Sequence, residues 1–416
     1  MNRSGLWALF AVCCLTLTLS AQGGIQQAKI KKVQPDTNTL TLTVNGKDMD
    51  YTVLPETMLK GPGGENLTER LKDKRFKEGA AVMFKPATRG GKAVLLGLRF
   101  VPAGKGPGFK KEPPNFDSSR LKPLTELGTG TYQNEQGGLY PGGKNERPAA
   151  HEKAGLALAA KVRPLDAEGK PSADGKIVLL SVGMSNTTQV FSAFKRLADP
   201  DADRNPRLVI VDGAQGGMTA ARIKDPGDNA GGTKFWTEVD RRLTKNGVTR
   251  AQVQAAWIKE ADAGPTQGFP RYAKTLQAEL AQVVQAMHER FPNLKLVYLS
   301  SRTYAGYATT WLNPEPYAYE SGFSVRWLIE QQLRGDPALN YDPAKGAVRA
   351  PWLSWGPYLW ANGMTRRADG FSYEKSDFAG DGTHPSKTGQ QKVARELLRF
   401  FKADSTTRPW FLARQR

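Results

Sequence analysis

From about residue 150 onward, short apolar runs and amphipathic stretches take turns, and this alternation constrains the fold more than any other feature. Ile177–Val182 is continuously apolar, as a strand buried on both faces should be. Thr187–Ala198 follows with helical spacing, then the apolar run Leu208–Val211 and the helical Phe235–Leu243. A third run, Val253–Ile258, precedes a long amphipathic stretch, Tyr272–Phe291. A fourth run, Leu294–Leu299, is followed by helical patterns at Gly322–Leu333 and about Lys387–Phe401. Strands alternating with helices predict a parallel sheet covered on both faces. In such sheets the chemistry sits outside the carboxyl ends of the strands.

The preceding part of the chain reads differently. Between about residues 25 and 102, short alternating segments recur at Gln26–Val33, Leu40–Val44, Met49–Leu54, Ala81–Phe84 and Ala93–Val101. Turn signals at Asp36-Thr37-Asn38 and Asn45-Gly46 separate some of them, and a charged helical piece is expected at Leu67–Phe76. This pattern predicts a small all-β barrel of OB or SH3-like type. Residues 22–115 hold 17 basic and 9 acidic side chains, a net +8. Residues 103–150 are rich in Pro, Gly, Lys and Asn, show no sustained period, and read as a linker, although the apolar residues of Leu121–Leu127 and Tyr132–Tyr140 can order part of it against the next domain. The unit from 151 to 416 carries the alternating pattern.

Residues 1–21 read as an export signal: Arg3, the apolar run Leu6–Leu19, then Ser20-Ala21 before the chain turns polar. A secreted or periplasmic protein with no membrane span after cleavage is expected. Cys13 and Cys14 are the two cysteines of the chain, and both would leave with the signal. With three histidines besides, a His/Cys metal site is excluded. No Walker A sequence and no Gly-x-Gly-x-x-Gly after a strand is present, which argues against nucleotide-driven chemistry. Asp199-x-Asp201-x-Asp203-x-Asn205 begins like a calcium loop but lacks its Gly and its closing Glu.

The segments after the strands carry the polar residues. Gly183-Met184-Ser185-Asn186-Thr187 puts Ser185 where a strand ends and a helix begins, beside N–H groups that favour developing negative charge. Ser185, Asn186 or Thr187 can equally serve as an N-cap. Asp212-Gly213-Ala214-Gln215-Gly216-Gly217-Met218 follows the second strand, and its glycines allow the close backbone approach an oxyanion hole needs. Trp257-Ile258-Lys259-Glu260-Ala261-Asp262 ends the third strand, with Lys259 or Glu260 facing either a site or solvent. Asp381-Gly382-Thr383-His384-Pro385 precedes the last helix, and a carboxylate three residues before a histidine can fix its tautomer. His151 falls in the linker and His288 near the end of a helix, which leaves His384 as the candidate base.

Together these segments resemble the SGNH (GDSL-like) hydrolase superfamily over roughly residues 175–402. That family has a nucleophilic Ser in its first block, matched by Ser185, an oxyanion Gly resembling Gly217 (Gly216 as alternative), and a closing Asp-x-x-His-Pro, matched by Asp381, His384 and Pro385. The resemblance implies a flavodoxin-like three-layer α/β/α parallel sheet, here with a small N-terminal all-β domain. It implies a serine esterase with no metal or organic cofactor. Two positions depart from the pattern. Met184 replaces the Asp before the Ser, and no Asn occurs in Trp257–Asp262 where the family carries an oxyanion Asn. Aligned with the Trp-x-Gln-Gly-Glu form of carbohydrate-esterase branches, Lys259 takes the place of the Gln and becomes the expected third oxyanion donor.

Aromatic residues crowd two segments, Tyr304–Tyr319 and Trp352–Trp360, and Trp355 and Tyr304 are the expected sugar-stacking residues. The chain carries a net charge of +19, which favours anionic partners, acidic polysaccharide first and nucleic acid least. The sequence thus points to a secreted esterase that deacylates a carbohydrate. Its rivals are a catalytically reduced member of the same family that binds anionic polysaccharide, and a polymer binder acting through the basic β module.

Overall fold

The computed structural model describes residues 26–413 apart from 45–46, 62–64, 102–112, 114–115 and 230. The expected export signal, the Asn45-Gly46 turn and most of the Gly-rich stretch after residue 102 lie outside the described residues. The chain divides into two compact units, Met1–Gly108 and Phe109–Arg416.

In the N-terminal unit, β1 (Gln26–Gln34), β2 (Thr39–Val44), β3 (Lys47–Lys60), β4 (Ala81–Arg89) and β5 (Lys92–Phe100) close into a barrel in the order β1-β2-β3-β5-β4. The Thr-Leu alternation of β2 explains its orientation: Leu40 and Leu42 are buried and the threonines between them face outward. Ile30, Tyr51, Val53, Val82, Phe84, Leu95 and Leu98 complete the core. The helix expected over Leu67–Phe76 is instead a loop with one 3-10 turn, Arg70–Lys72. Its cations, Arg70, Lys72, Lys74 and Arg75, would stack as like charges on a helix. Leu67, Leu71 and Phe76 are drawn into the barrel core, and the Arg70 guanidinium donates to the Leu54 carbonyl at 2.6 Å.

The C-terminal unit holds five parallel strands: β6 (Ile177–Gly183), β7 (Leu208–Asp212), β8 (Val253–Lys259), β9 (Leu296–Leu299) and β10 (Trp352–Trp355). Their order is β7-β6-β8-β9-β10, which puts a topological switch between β6 and β8. Helices α1 (Ala149–Ala159), α2 (Ser185–Ala198), α3 (Gly232–Lys245), α4 (Arg271–Arg290), α5 (Tyr317–Leu333) and α6 (Lys387–Ala403) flank the sheet. Trp257 and Tyr298 are register partners on β8 and β9, so they share a face. Trp257 stacks on Phe191 of α2, and Tyr298 meets Phe400 and Phe401 of α6. Every residue of β6, β8, β9 and β10 is buried. Among the described residues no helix is long and apolar enough to cross a membrane.

A linker running to residue 150 is corrected. Residues 116–150 pack on the C-terminal unit, and α1 lies against its outermost strand. Tyr140 Oη meets Ser354 Oγ at 3.0 Å, the Trp355 indole N–H donates to the Leu139 carbonyl at 2.7 Å, and His151 Nε2 lies 2.7 Å from the Leu353 carbonyl. This segment covers the edge of β10, whose unpaired backbone would otherwise invite another strand. His151 is buried and stacked on Trp352, and burial lowers its pKa to about 4.

Candidate functional site

The site forms where β6 and β8 end. At Gly183, the last residue of β6, φ is +154°, and a Cβ there would come within 2.4 Å of the Lys259 carbonyl on β8. The strands can therefore stay this close only with glycine. Met184 then turns the chain, and Ser185 is the first residue of α2. Asp212 at the end of β7 ties these pieces together: it accepts from Ser181 Oγ at 2.7 Å and from Ser192 Oγ at 2.7 Å.

The second half of the site is the loop before α6. Gly382 adopts φ +64°, and a Cβ there would overlap the Tyr307 carbonyl at 1.8 Å, so the turn rests directly on the backbone that follows β9. The Thr309 N–H donates to the Asp381 carbonyl at 3.0 Å and holds the turn there. Asp381 Oδ1 accepts the N–H groups of Thr383 at 3.0 Å and His384 at 2.9 Å, while Oδ2 lies 2.5 Å from His384 Nδ1. Burial alone would raise the Asp381 pKa, but these bonds and the adjacent imidazole outweigh it and hold the carboxyl below its ordinary range. With Nδ1–H directed at a carboxylate, His384 Nε2 is an acceptor, and Ser185 Oγ stands 2.7 Å from it. Hydroxyl, imidazole and carboxylate thus form one hydrogen-bonded chain, half-buried at the sheet rim.

The remaining predicted residues fall in three groups. Of the two glycines after β7, Gly216 is the one beside the serine: a Cβ there would be 3.8 Å from Ser185 Cβ. Gly217 has φ +76° and its carbonyl accepts from Arg222 at 3.0 Å; a Cβ on it would meet Arg222, not Ser185.

Lys259 is buried, and its ammonium donates to Asn186 Oδ1 at 3.0 Å, next to the serine. Burial, aided by the nearby Arg302 guanidinium, pushes its pKa well down, and burial pushes Glu260 well up. Arg302, on the segment after β9, is itself buried, and its Nε and Nη1 have no hydrogen-bond partner among the described residues. Sequence reasoning weighed Asn186 only as a helix cap and passed over Arg302, because each sits among other polar residues, Ser185-Asn186-Thr187 and Ser300-Ser301-Arg302-Thr303, and so does not stand out.

The two expected sugar-stacking residues are corrected. Trp355 is 3% exposed and Tyr304 is 8% exposed, the latter with its hydroxyl 3.0 Å from Ser118 Oγ. Both are packing residues: Trp355 lies on a strand whose residues are all buried, and Tyr304 packs edge-on against Tyr307 and Trp360. Tyr307 and Trp311 remain half-buried near this rim. The Asp201 and Asp203 carboxylates of the calcium-like sequence receive the Lys402 ammonium at 3.0 and 2.7 Å, so that loop is already neutralised by a side chain.

No protein-family model matches this sequence, and no curated protein sequence matches it. Solved structures similar to this chain include a lipase, Lip_vut3, from a goat rumen metagenome, at 16% identity. It aligns over 54% of this chain and 96% of its own length with a TM-score of 0.32. The periplasmic domain of a lipopolysaccharide acetyltransferase from Salmonella ser. Paratyphi A aligns over 60% of this chain and 95% of its own, at 13% identity and a TM-score of 0.30. Apo-CusF from Escherichia coli aligns over 21% of this chain and 98% of its own, at 16% identity and a TM-score of 0.15. None of these scores reaches 0.5, so none carries weight for what this chain does.

Proposed function

We propose that the C-terminal unit is a carboxylic-ester hydrolase of SGNH type, in which Ser185 attacks the acyl carbon. His384 Nε2 takes the serine proton as the Oγ–carbon bond forms, and Asp381 holds the imidazole and stabilises its cation. The Ser185 and Gly216 N–H groups are the proposed oxyanion donors, in place of Gly217. Lys259 is assigned to fixing Asn186 behind the serine, since its ammonium is engaged there. Collapse of the tetrahedral species returns the proton from His384 to the leaving alcohol. Water, deprotonated by the same imidazole, then cleaves the acyl-enzyme and releases the acid. No metal or organic cofactor enters these steps. The proposed substrate is an acylated, chiefly acetylated, carbohydrate met outside the cytoplasm. The observation that carries this reading is the Ser185–His384–Asp381 chain at 2.7 and 2.5 Å.

The decisive experiment is release of acetate from acetylated polysaccharides and of p-nitrophenol from p-nitrophenyl acetate. Ser185→Ala is expected to lower kcat by about 10⁴–10⁶-fold with the fold intact by circular dichroism. Equal turnover by the variant, or none by the wild type on any acyl ester, ends this reading.

A further inference from the structure

Within the C-terminal unit, a cavity of about 430 Å³ is lined by Ser119, Arg120, Lys122, Glu126, Asn362 and Arg366, among others. It contains neither Ser185 nor His384. Its three cations are exposed, and none of them is in an ion pair among the described residues. The lone carboxylate, Glu126, already accepts the Ala368 N–H at 2.7 Å. The neighbouring Asp117 accepts the Ser119 N–H at 2.9 Å, and the Arg120 charge helps to hold its carboxyl below the ordinary range. Arg120, Lys122 and Arg366 outnumber the carboxylates Glu126 and Asp117, so the cavity is net positive, and two of its cations are planar guanidinium groups suited to bidentate capture of an oxyanion.

Its walls are held. Asn362, which is buried, donates its side-chain amide to the carbonyls of Ser118 at 2.7 Å, Ser119 at 3.2 Å and Leu121 at 3.0 Å. That one residue fastens the segment bearing Arg120 and Lys122 to the loop bearing Arg366. The same segment reaches toward the catalytic rim. Ser118 Oγ meets Tyr304 Oη, Tyr304 packs edge-on against Tyr307, and the Tyr307 carbonyl is the surface against which Gly382 rests. The segment that lines the cavity and the Asp381–His384 turn are thus linked through two adjoining tyrosines, Tyr304 and Tyr307.

We infer that this cavity is an anion-binding subsite for a carboxylate or sulfate group on the polymer whose ester is cleaved, an inference that rests on the esterase reading above. Arg120, Lys122 and Arg366 contact the anionic substituent, and the ester-bearing residue of the same polymer lies at Ser185. The subsite sets affinity for acidic substrates and leaves the bond-breaking step untouched.

Binding is measured calorimetrically with the full-chain Ser185→Ala protein, which consumes no substrate. The probes are oligogalacturonate, sulfated dextran oligomer and neutral dextran oligomer of matched length. An anionic oligomer is expected to bind more tightly than the neutral one, and the carboxylate and sulfate arms show which group the cavity takes. Arg120→Gln with Arg366→Gln is expected to weaken that binding by about tenfold. Lys234→Gln with Lys245→Gln, which removes the same charge from exposed positions of α3, is expected to change it little. Equal losses in the two double variants, or no preference for an anionic oligomer, overturn the subsite. In the Ser185 enzyme the cavity variant should raise KM for an acetylated acidic oligomer and leave kcat and p-nitrophenyl acetate turnover unchanged. Should the wild type hydrolyse no ester, the esterase reading falls while the calorimetry still decides the binding site.

Discussion

The two units treat charge in opposite ways. The barrel keeps its cations outside: Lys29, Lys31 and Lys32 of β1 are exposed, and among the described residues its buried polar side chains are Thr57 and Asp73. The C-terminal unit takes charge inside, with Lys259, Glu260, Arg302, Glu315 and Glu320 all buried. A closed barrel strand has one apolar face and one free face, so charged side chains on the strands stay solvated, while buried Asp73 lies in a loop and is paired with Arg75. A doubly covered sheet has no free face, and its polar residues gather at strand ends, where desolvation is costly and pKa values move. Chemistry follows from that second arrangement.

Three substitutions probe this contrast. The largest effect is expected at the rim. Asp381→Asn keeps the hydrogen-bonding shape but removes the charge that orients His384, and should lower kcat by about 10⁴-fold with little change in melting temperature. A comparable loss of folding stability would instead make the Asp381 turn a structural feature.

The next tests whether the barrel is separate in function. Leu42→Ala empties a fully buried position and should cost the barrel about 2–5 kcal/mol. Chemical denaturation should then resolve an earlier transition for this unit, while kcat on p-nitrophenyl acetate stays at the wild-type value. Turnover that falls in step with barrel unfolding would show that the contrast drawn here is too sharp.

The smallest concerns a buried acid away from the triad. Burial raises Glu320 to about 7, offset in part by the Tyr132 hydroxyl at 2.8 Å. The folded protein therefore holds a proton there that the unfolded chain releases near its ordinary 4.5. Stability from this group is complete below about 4.5 and lost as pH rises through about 7. Glu320→Gln should match the wild type at pH 4.5 and exceed it by up to about 3 kcal/mol at pH 8 in urea unfolding. A constant difference across that range would mean that Glu320 is ionised in the fold.

Much of this architecture is written in local pattern. The runs at Ile177, Leu208, Val253 and Leu294 are legible because burial on both faces leaves little polar residue in them. Their lateral order is not, since parallel neighbours are far apart in sequence. The fifth strand, Trp352–Trp355, escaped notice because it is four residues long and rich in tryptophan, which reads as readily as a ligand platform. Helix α1 was hidden in a Gly- and Pro-rich surrounding, although Ala149–Ala159 is itself rich in alanine, the best helix former. At the site, Ser185, Asp381 and His384 were legible from spacing and the strand-end rule. The engagement of Lys259 with Asn186, and the choice of Gly216 over Gly217, depend on distances across the strand ends that sequence spacing does not encode.

The carboxylate and the imidazole belong to one short turn, and that turn is stitched internally by two backbone N–H groups that donate to the same carboxylate. The turn is held as a unit against the Tyr307 and Thr309 backbone, so its placement sets the one remaining gap, the one to the serine. In the proposed esterase, the backbone after β9 is thereby the support that fixes how far the base stands from the serine.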